Sequence, residues 1–456
     1  GRRDFPTSHP TERKLEPHST VLFIKKRAPA KTLYVSNNVS NNESKCTELL
    51  RPLHRFFYPR VTGSRYCAYV MRWQRWCGVT ETGQVTNTLL HAYFSAASML
   101  GEEVYYLFPL LVWLAFPLAL LATTHMGLIL PLGQLVKDLL HLPRPPHTFE
   151  YDGKKDGGLI IKLEKHFGTE YGLPSTHAMS GSLIFCVMHA VQRLQRCHRD
   201  DAADSGSGSD TVAGSAAAVL GLGLPLSWIF AAACVTLSVC ASRLYMGVHS
   251  LADLFAGLCI SFCMQGLLLG CRLHEPLDAL LYASPWGPAV PLLAIAAFIR
   301  FYPATTPWST SYATASELFG LWAGLSISYW VVLNAMPSVG VVLRAHSVVK
   351  DTCHATQDMA ISMEWDKLLP RLVFGGVVVA TTRYVTKKLF TALLVALVKA
   401  GVTSVPAGQR IDSQGAVVSV QAAYVVETPR RIMGLLCTTF VCVALVPWLW
   451  VQLDML

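Results

Sequence analysis

The sequence predicts an all-α protein, a bundle of membrane-spanning helices, and two observations lead to this prediction. The chain has 456 residues and is 52% hydrophobic but only 15% charged, whereas an ordinary soluble domain carries roughly 25% charged residues. Its apolar residues also fall into separate runs long enough to cross a bilayer, which takes about 20 residues per helix. Backbone groups in lipid must pair internally, so each crossing segment is expected to be helical. A soluble protein with a very large core is the alternative, and it does not account for so many separate runs.

The apolar runs predict about nine or ten membrane segments. Most are read directly from the sequence: Thr124–Leu142, His177–Leu194, Leu220–Cys240, Ser250–Cys271, Leu277–Ile299, Ala313–Ala335, Arg371–Ala400 and Arg431–Leu453. The stretch Thr86–Leu121 is apolar on both sides of Glu102 and Glu103. It therefore contains either two spans or one span and a helix on the membrane surface.

Composition divides the chain into three regions. Residues 1–85 are basic and contain many scattered Pro, Asn and Ser residues. They contribute most of the formal net charge of +9. This pattern predicts a poorly ordered tail that touches anionic lipid headgroups, and nucleic acid is not expected as a partner. Residues 86–300 are predicted to form a membrane-embedded core. Residues 301–456 are predicted to add further spans, with a polar loop near 341–369.

Neither the cysteines nor the acids of the polar loop predict a metal site. The thirteen cysteines are scattered, and none forms a C-x-x-C pair, so we interpret them as small buried hydrophobic residues. The loop carries the possible ligands His354, Asp358, Glu364 and Asp366. Scattered acids in a solvent-exposed loop are the simpler interpretation, and no metal or other cofactor is expected.

The first of three polar segments is KDLLHLPRPP, at the end of an apolar run. Lys137 and Arg144 are seven residues apart, about two helical turns, so both can lie on one side of the helix end. Prolines on either side of Arg144 stop the helix. A cationic helix end is ordinary by itself, because Lys and Arg side chains snorkel to the membrane interface.

The second segment, LPSTHAMSG, begins the next apolar run. Pro174, Ser175 and Thr176 are typical of a helix start. The backbone N–H groups of such a turn favour anions, and His177 sits among them. A capping turn with a solvated histidine is the alternative.

The third segment, ASRLYMGVHSLADLFAG, joins two more apolar runs. His249 and Asp253 are four residues apart and share one helical face, where the carboxylate can hold the imidazole. Arg243 precedes His249 across a turn marked by Gly247. Alternatively, His249 and Asp253 only bind each other and have no role in chemistry. The neighbouring arginine makes this alternative less favourable.

The three segments are predicted to meet on one face of the membrane. The chain leaves the first apolar run on that face, starts the next run there, and returns to it two spans later. Three cations, two histidines, one aspartate and several hydroxyl groups then lie at one depth. Charged side chains so close to hydrocarbon are energetically costly, so we expect these residues to have a function.

This combination suits phosphoryl transfer through a phospho-histidine. His249 is predicted to attack phosphorus through a ring nitrogen, and Asp253 to fix the tautomer and stabilise the imidazolium. His177 is predicted to protonate the leaving alkoxide and then to activate water. The remaining candidates surround the phosphoryl oxygens in place of a divalent metal, and they are Lys137, Arg144, Ser175, Thr176 and Arg243.

The spacings K-x6-RP, P-S-x-H and S-R-x5-H-x3-D of these segments resemble the signature of the type-2 phosphatidic acid phosphatase superfamily. That superfamily includes lipid phosphate phosphatases, glucose-6-phosphatase and vanadium haloperoxidases. Three longer stretches, IKLEKHFGTEYGLPSTHAMSG, KDLLHLPRPP and SRLYMGVHSLADL, are similar to its sphingosine-1-phosphate phosphatase branch. Weaker similarity continues through YPATTPWST. Thr176 departs from the wider superfamily, where Gly is usual, and agrees with the branch.

The resemblance implies an acid phosphatase/vanadium-haloperoxidase-like core with the residue roles given above. It also implies metal-independent hydrolysis of sphingoid-base 1-phosphates in the endoplasmic reticulum membrane, by a site that faces the lumen. A lipid substrate in the bilayer is thus the expected partner, and the sequence predicts no oligomeric state. Specificity must then depend on the head group, because the alkyl chain stays in an apolar environment. Three acids near the second segment are candidates to accept its amine and hydroxyl groups: Asp156, Glu164 and Glu170.

Other functions remain open at this point. A broad lipid phosphate phosphatase or a polyprenyl diphosphate phosphatase would use the same core. A channel, transporter or scaffold that keeps the core without turnover is a different class, which the presence of His177, His249 and Asp253 disfavours. The basic tail predicts a cytosolic N-terminus, which agrees with a lumenal site if Thr86–Leu121 crosses the membrane twice. Glycans at the sequons Asn38 and Asn42 would instead indicate a lumenal tail.

Overall fold

The described part of the molecule is mostly helical. The computed structural model describes residues 52–53, 55–57, 64–102, 113, 116–145, 160–164, 171–189, 226–303, 309–340, 365–400 and 426–453. All of them belong to the unit Cys46–Leu456. Within these ranges no β-strand occurs beyond isolated bridges such as that between Val79 and Val85. The predicted all-α fold class is confirmed.

The helices are numbered here in chain order. The first part of the chain forms α1 (Ser64–Trp76), α2 (Thr88–Glu102), α3 (Phe116–Leu140), α4 (Thr176–Ser182), α5 (Leu226–Tyr245) and α6 (Leu251–Gln265). The second part forms α7 (His274–Asp278), α8 (Ala289–Phe301), α9 (Thr310–Asn334), α10 (Trp365–Lys399), α11 (Thr428–Phe440) and α12 (Val446–Gln452). Short π-helical turns extend three of them, namely Gly266–Gly270 after α6, Ala279–Ala283 after α7 and Val441–Leu445 after α11.

Among the described helices, four are long and apolar enough to cross a membrane. They are Leu226–Tyr245, Leu251–Gly270, Thr310–Asn334 and Thr428–Gln452. The predicted multi-pass membrane architecture is confirmed by these spans. Most of their first and last residues lie within a few residues of the predicted boundaries, which is the usual uncertainty of helix boundaries.

Two of the predicted spans are interrupted helices. The run Leu277–Ile299 is broken after Ala283, where residues 284–288 turn and two prolines prevent the backbone from continuing the helix. Only the 13 residues of Ala289–Phe301 then form a second apolar helix. The run His177–Leu194 begins with the seven-residue helix α4, followed by a turn at Leu183 and a helical segment over 184–189. The rest of that run lies outside the described residues.

Helices also extend beyond the sequence prediction at other points. Helix α3 begins at Phe116, before the predicted Thr124, and α10 begins at Trp365, before the predicted Arg371. Helix α1 lies inside the region predicted as a tail, and it packs Val70 against Ile160. Of the stretch Thr86–Leu121, the structure describes α2, Trp113 and the start of α3.

Helix α4 lies at the centre of the region that forms the site. It contacts α2, α3, α5 and α6, and all seven of its residues are buried. Close approach depends on glycine at two positions. A Cβ atom at Gly133 of α3 would lie 2.6 Å from the sulfur of Met179, and one at Gly257 of α6 would meet the backbone of Ser175. The neighbouring helices therefore pack directly against the backbone around the α4 N-terminus.

The C-terminal helices form a second packed group around α9. Helix α9 packs against α3 and α11, and its Trp322 and Tyr329 belong to a buried apolar cluster with Met126 of α3. Small residues allow close contacts between membrane helices, and a Cβ atom at Gly324 would collide with α11. An ion pair of 2.6 Å between Glu317 and Arg431 also joins α9 to α11.

Candidate active site

Lys137 and Arg144 lie on either side of the C-terminal end of α3. The helix ends at Leu140, and His141 adopts a left-handed backbone conformation with φ 51°. Lys137 is completely buried, and its Nζ donates a 3.2 Å hydrogen bond to Oγ1 of Thr176. Arg144 Nη1 donates to the carbonyl oxygen of Val248 at 2.9 Å and lies 3.4 Å from Nε2 of His249. The first segment therefore contacts both of the others.

Ser175 and Thr176 form the start of α4. Ser175 is the N-cap residue, and its Oγ accepts a hydrogen bond of 3.4 Å from the backbone N–H of Ala178. Its own backbone N–H donates to the carbonyl oxygen of Asp253 at 2.9 Å. This bond fixes the start of α4 to the first turn of α6, so the helix that carries His177 is held against the helix that carries Asp253.

The turn between α5 and α6 holds His249 next to Asp253. Gly247 adopts φ 71°, a conformation that residues with a Cβ rarely adopt. Ser250 caps α6, and its backbone N–H donates to Oδ2 of Asp253 at 2.6 Å while Ser250 Oγ accepts from the Asp253 N–H at 3.0 Å. This capping box fixes the carboxylate. Nδ1 of His249 lies 3.5 Å from the same Oδ2 atom.

The two histidines face each other inside the protein. Their ring centroids are 6.2 Å apart, with 55° between the ring planes. His249 has no exposed surface and His177 is 7% exposed. The two rings are therefore close enough for a phosphoryl group to contact both of them.

Arg243 reaches the site from the last turn of α5. Its side chain is completely buried, and its Nη1 donates to Oγ of Ser98. The same Nη1 forms an ion pair of 2.9 Å with Glu164. Arg243 is therefore held from two sides, by α2 and by the short segment 160–164.

The electrostatics of the site favour a neutral imidazole at position 249. Burial lowers the pKa of His249 well below its usual range, and the positive charges of Arg144, Arg243 and Lys137 act in the same direction. Arg144 is a donor only, so its approach to Nε2 fits the tautomer with the proton on Nδ1, facing Asp253. A lone pair on Nε2 then points toward the arginine, where a phosphoryl group would lie.

Several residues that shape the site have no motif in the sequence. Tyr66 of α1 donates a 2.8 Å hydrogen bond to the carbonyl oxygen of His249. Gln74 of α1 donates to the carbonyl oxygens of Ile161 at 2.6 Å and Tyr245 at 2.9 Å. These residues lie in the region predicted as a tail, and Ser98 lies in an apolar helix. Only the helical periodicity of α1 could have indicated that Tyr66 and Gln74 share a packed face.

The predicted site residues thus meet, and their pattern suits transfer of a phosphoryl group. Direct contacts join Lys137 to Thr176, Ser175 to Asp253, and His249 to both Arg144 and Asp253. No group of three or more His, Cys, Asp or Glu residues in the described ranges is arranged to hold a metal ion. Of the proposed head-group acceptors, Glu164 contacts Arg243, whereas Asp156 and Glu170 lie outside the described residues. Of the polar-loop residues, His354, Asp358 and Glu364 also lie outside them, and Asp366 lies in the first turn of α10.

Comparison with known proteins finds a family that is similar to the part of the chain that contains this site. Residues 108–275 match the sequence profile of the PAP2 superfamily, and this stretch contains all eight predicted site residues, from Lys137 to Asp253. No solved structure matches the chain. Over these residues the chain is similar to the PAP2 superfamily, and it is a membrane phosphatase, a hydrolase of phosphoric monoesters.

The chain is also similar to individual phosphatases of known organisms. The chain is 25% identical to mouse sphingosine-1-phosphate phosphatase 2 over 82% of its own length and 94% of the relative's. It is 26% identical to mouse sphingosine-1-phosphate phosphatase 1, over 68% of this chain and 62% of the relative. It is 28% identical to lipid phosphate phosphatase delta of Arabidopsis thaliana, over 42% of this chain and 40% of the relative. The predicted resemblance to the sphingosine-1-phosphate phosphatase branch is confirmed.

Proposed function

We propose that this protein hydrolyses sphingoid-base 1-phosphates through a phospho-histidine formed on His249. The observation that carries the proposal is the buried pair His177–His249, with Arg144 beside one nitrogen of His249 and Asp253 beside the other. The similarity to relatives named sphingosine-1-phosphate phosphatases supports the choice of substrate.

In the first step, Nε2 of His249 attacks phosphorus and the ester P–O bond breaks. His177 gives its proton to the departing oxygen, which leaves as the alcohol of the sphingoid base. Asp253 stabilises the positive charge that develops on the imidazole of His249. In the second step a water molecule gives a proton to His177 and attacks phosphorus. The P–N bond then breaks, and inorganic phosphate leaves.

The cations hold the phosphoryl oxygens during both steps. Negative charge is spread over these oxygens in the transition state, and fixed positive groups stabilise it. Lys137, Arg144 and Arg243 are buried, so water screens them little. Ser175 and Thr176 add polar groups next to Lys137.

An apolar cavity of about 180 Å³ next to α4 supports a lipid substrate. Its lining includes Leu100, Met126, Leu183, Ile184, Val235 and Val239. A Cβ atom at Gly101 would lie 3.1 Å from Cδ2 of His177 and 3.0 Å from Cγ1 of Val239. The cavity wall therefore adjoins the proposed proton donor, and an alkyl chain in the cavity would leave its head group near the two histidines.

We further propose that the protein resides in the endoplasmic reticulum membrane with its site facing the lumen. The basic tail supports a cytosolic N-terminus. A lumenal site then requires an odd number of spans between the tail and the end of α3. Protease protection of an N-terminal epitope in sealed microsomes tests this arrangement, and protection without detergent would contradict it.

The substrate proposal is tested with purified protein in detergent containing excess EDTA. Phosphate release is measured from dihydrosphingosine 1-phosphate, phosphatidic acid and a polyprenyl diphosphate. We expect kcat/KM for the sphingoid-base phosphate to exceed that for the other two by at least roughly 10-fold, a difference of about 1.4 kcal/mol. Equal values for the three substrates would favour the broad lipid phosphate phosphatase. A strict requirement for magnesium would contradict the metal-independent mechanism.

The cavity predicts that Val235→Trp discriminates by chain length. The larger side chain fills space that a long alkyl chain needs, so kcat/KM for a long-chain sphingoid-base phosphate should fall by roughly 10-fold. A short-chain analogue should be affected far less. The matched control is Leu237→Trp on the same helix; the Leu237 side chain is exposed on the outside of the protein, so this variant should affect neither substrate. An equal loss for both chain lengths in Val235→Trp would contradict the assignment of the cavity.

A further inference from the structure

A carboxylate lies directly on one of the proposed phosphate-binding residues. Glu164 pairs with Arg243 at 2.9 Å; the arginine side chain is fully buried, and the glutamate side chain is 19% exposed. Next to a phosphate this arrangement is unfavourable, because the carboxylate repels the phosphoryl oxygens and reduces the positive charge that Arg243 offers them. Glu164 therefore either holds Arg243 in place or contributes to the binding of a substrate group other than the phosphate.

The backbone around Glu164 is held in place by contacts with α1 and with the turn between α5 and α6. The backbone N–H of Leu163 donates to the carbonyl oxygen of Met246 at 3.1 Å. The buried Gln74 side chain binds both the N–H and the carbonyl oxygen of Ile161, at 3.1 Å and 2.6 Å. These bonds fix segment 160–164 against the turn between α5 and α6, so the backbone that carries Glu164 is held beside Arg243.

The rest of the site presents cations to an incoming head group. Lys137 and Arg144 are buried beside the histidines, and a second positive charge entering there would be repelled. The carboxylate of Asp253 already accepts from the backbone of Ser250 and faces His249. Glu164 is therefore the other carboxylate that the described part of the site offers to a cation.

A sphingoid-base 1-phosphate brings such a cation with it. Its amine is bonded to C2, next to the carbon that carries the phosphate ester, and is charged at neutral pH. When Arg243 holds a phosphoryl oxygen, the ammonium group lies a few ångströms away, within reach of a carboxylate that already touches Arg243. A guanidinium group has five N–H donors, so Arg243 can contact phosphate and Glu164 together.

We propose that Glu164 forms an ammonium-binding subsite, which selects phosphate esters with a primary amine next to the ester carbon. This inference rests on the proposed function and deepens it, because it assigns the head-group specificity to one residue. In this arrangement, Glu164 neutralises the substrate ammonium while Arg243 bridges the carboxylate and the phosphoryl group.

The test compares two substrates of the same chain length in Glu164→Gln and in the unchanged protein. One is dihydrosphingosine 1-phosphate, and the other is its N-acetyl derivative, which lacks the positive charge. The selectivity ratio is the kcat/KM of the first divided by that of the second. We expect this ratio to fall roughly 10- to 100-fold in Glu164→Gln, the effect of losing one hydrogen bond between charged groups. Glu81→Gln is the matched control, since Glu81 is an exposed acid in the turn between α1 and α2.

The outcomes separate selectivity from a structural role. If Glu164 only holds Arg243 in place, both substrates lose the same factor and the ratio stays constant, which overturns the proposal. Glu164→Asp keeps the charge and should retain most of the selectivity. If the glutamine variant does not fold, the selectivity ratio is measured in the aspartate variant instead. The unchanged protein gives a third check, because equal rates on the amine and its N-acetyl derivative also overturn the subsite. Failure of the proposed function is distinct from these results, since the unchanged protein would then not hydrolyse dihydrosphingosine 1-phosphate.

Discussion

Replacing His249 with alanine is expected to abolish turnover, with a fall in kcat of at least about 10⁴-fold. The imidazole is buried, its Nδ1 faces Asp253 at 3.5 Å and its Nε2 faces Arg144 at 3.4 Å. Neither alanine nor a water molecule in its place forms the P–N bond on which the mechanism depends. The measurement is phosphate release together with acid quenching of the reaction with ³²P-labelled substrate, which detects the acid-labile, base-stable phospho-histidine.

The control for this variant is His141→Asn, which removes an exposed histidine near the end of α3. Asparagine tolerates the left-handed conformation at this position, where φ is 51°, so both folding and activity should persist. Adding imidazole to His249→Gly should restore part of the activity, because the vacated space can admit the missing ring. If His249→Ala still incorporates labelled phosphate, the nucleophile is another residue and the proposed mechanism is wrong.

Replacing His177 with alanine is expected to slow hydrolysis of the lipid substrate by roughly 10²- to 10⁴-fold, the contribution of a positioned general acid. The ring of His177 lies 6.2 Å from that of His249, between their centroids, which leaves room for the reacting phosphorus and its leaving oxygen. An alkoxide is a poor leaving group without a proton, so formation of the phosphoenzyme should become limiting with the natural substrate.

An aryl phosphate distinguishes the two histidines in the same assay. Its phenolate leaves without protonation, so His177→Ala should still form the phospho-histidine. The intermediate should then accumulate, because no base activates the water that hydrolyses it. His249→Ala should form none, and His141→Asn should behave like the unchanged protein. Equal losses of His177→Ala on alkyl and aryl phosphates, without accumulation of the intermediate, would rule out its role as general acid.

Much of the candidate site could be predicted from the sequence because its signals are local. Lys137 and Arg144 flank a helix end that prolines define, and Ser175 caps the next helix as its residue type predicts. His249 and Asp253 are four residues apart across a helix start, and the capping box of Ser250 brings them together. In each case a local signal, such as a proline that stops a helix or a residue that caps one, places the side chain near a helix end.

The prediction of one continuous helix over Leu277–Ile299 is wrong, for an equally physical reason. Hydropathy measures the cost of leaving water and is insensitive to the path of the backbone. The run Leu277–Ile299 is apolar enough to cross a bilayer, yet Pro285 and Pro288 divide it. The run starting at His177 is apolar as well, but α4 ends after Ser182, whose hydroxyl group donates to the carbonyl oxygen of Met179.

The sequence by itself determined the membrane-helical fold class, the order of three polar segments and the residue types that suit phosphoryl transfer. Apolar length and local spacing are properties of the chain, and they need no knowledge of distant contacts. Only the tertiary structure decided that Glu164 pairs with Arg243, that Gln74 holds segment 160–164, and that an apolar cavity adjoins His177. These contacts join residues far apart in sequence, and they depend on how the helices pack around α4, which no local pattern specifies.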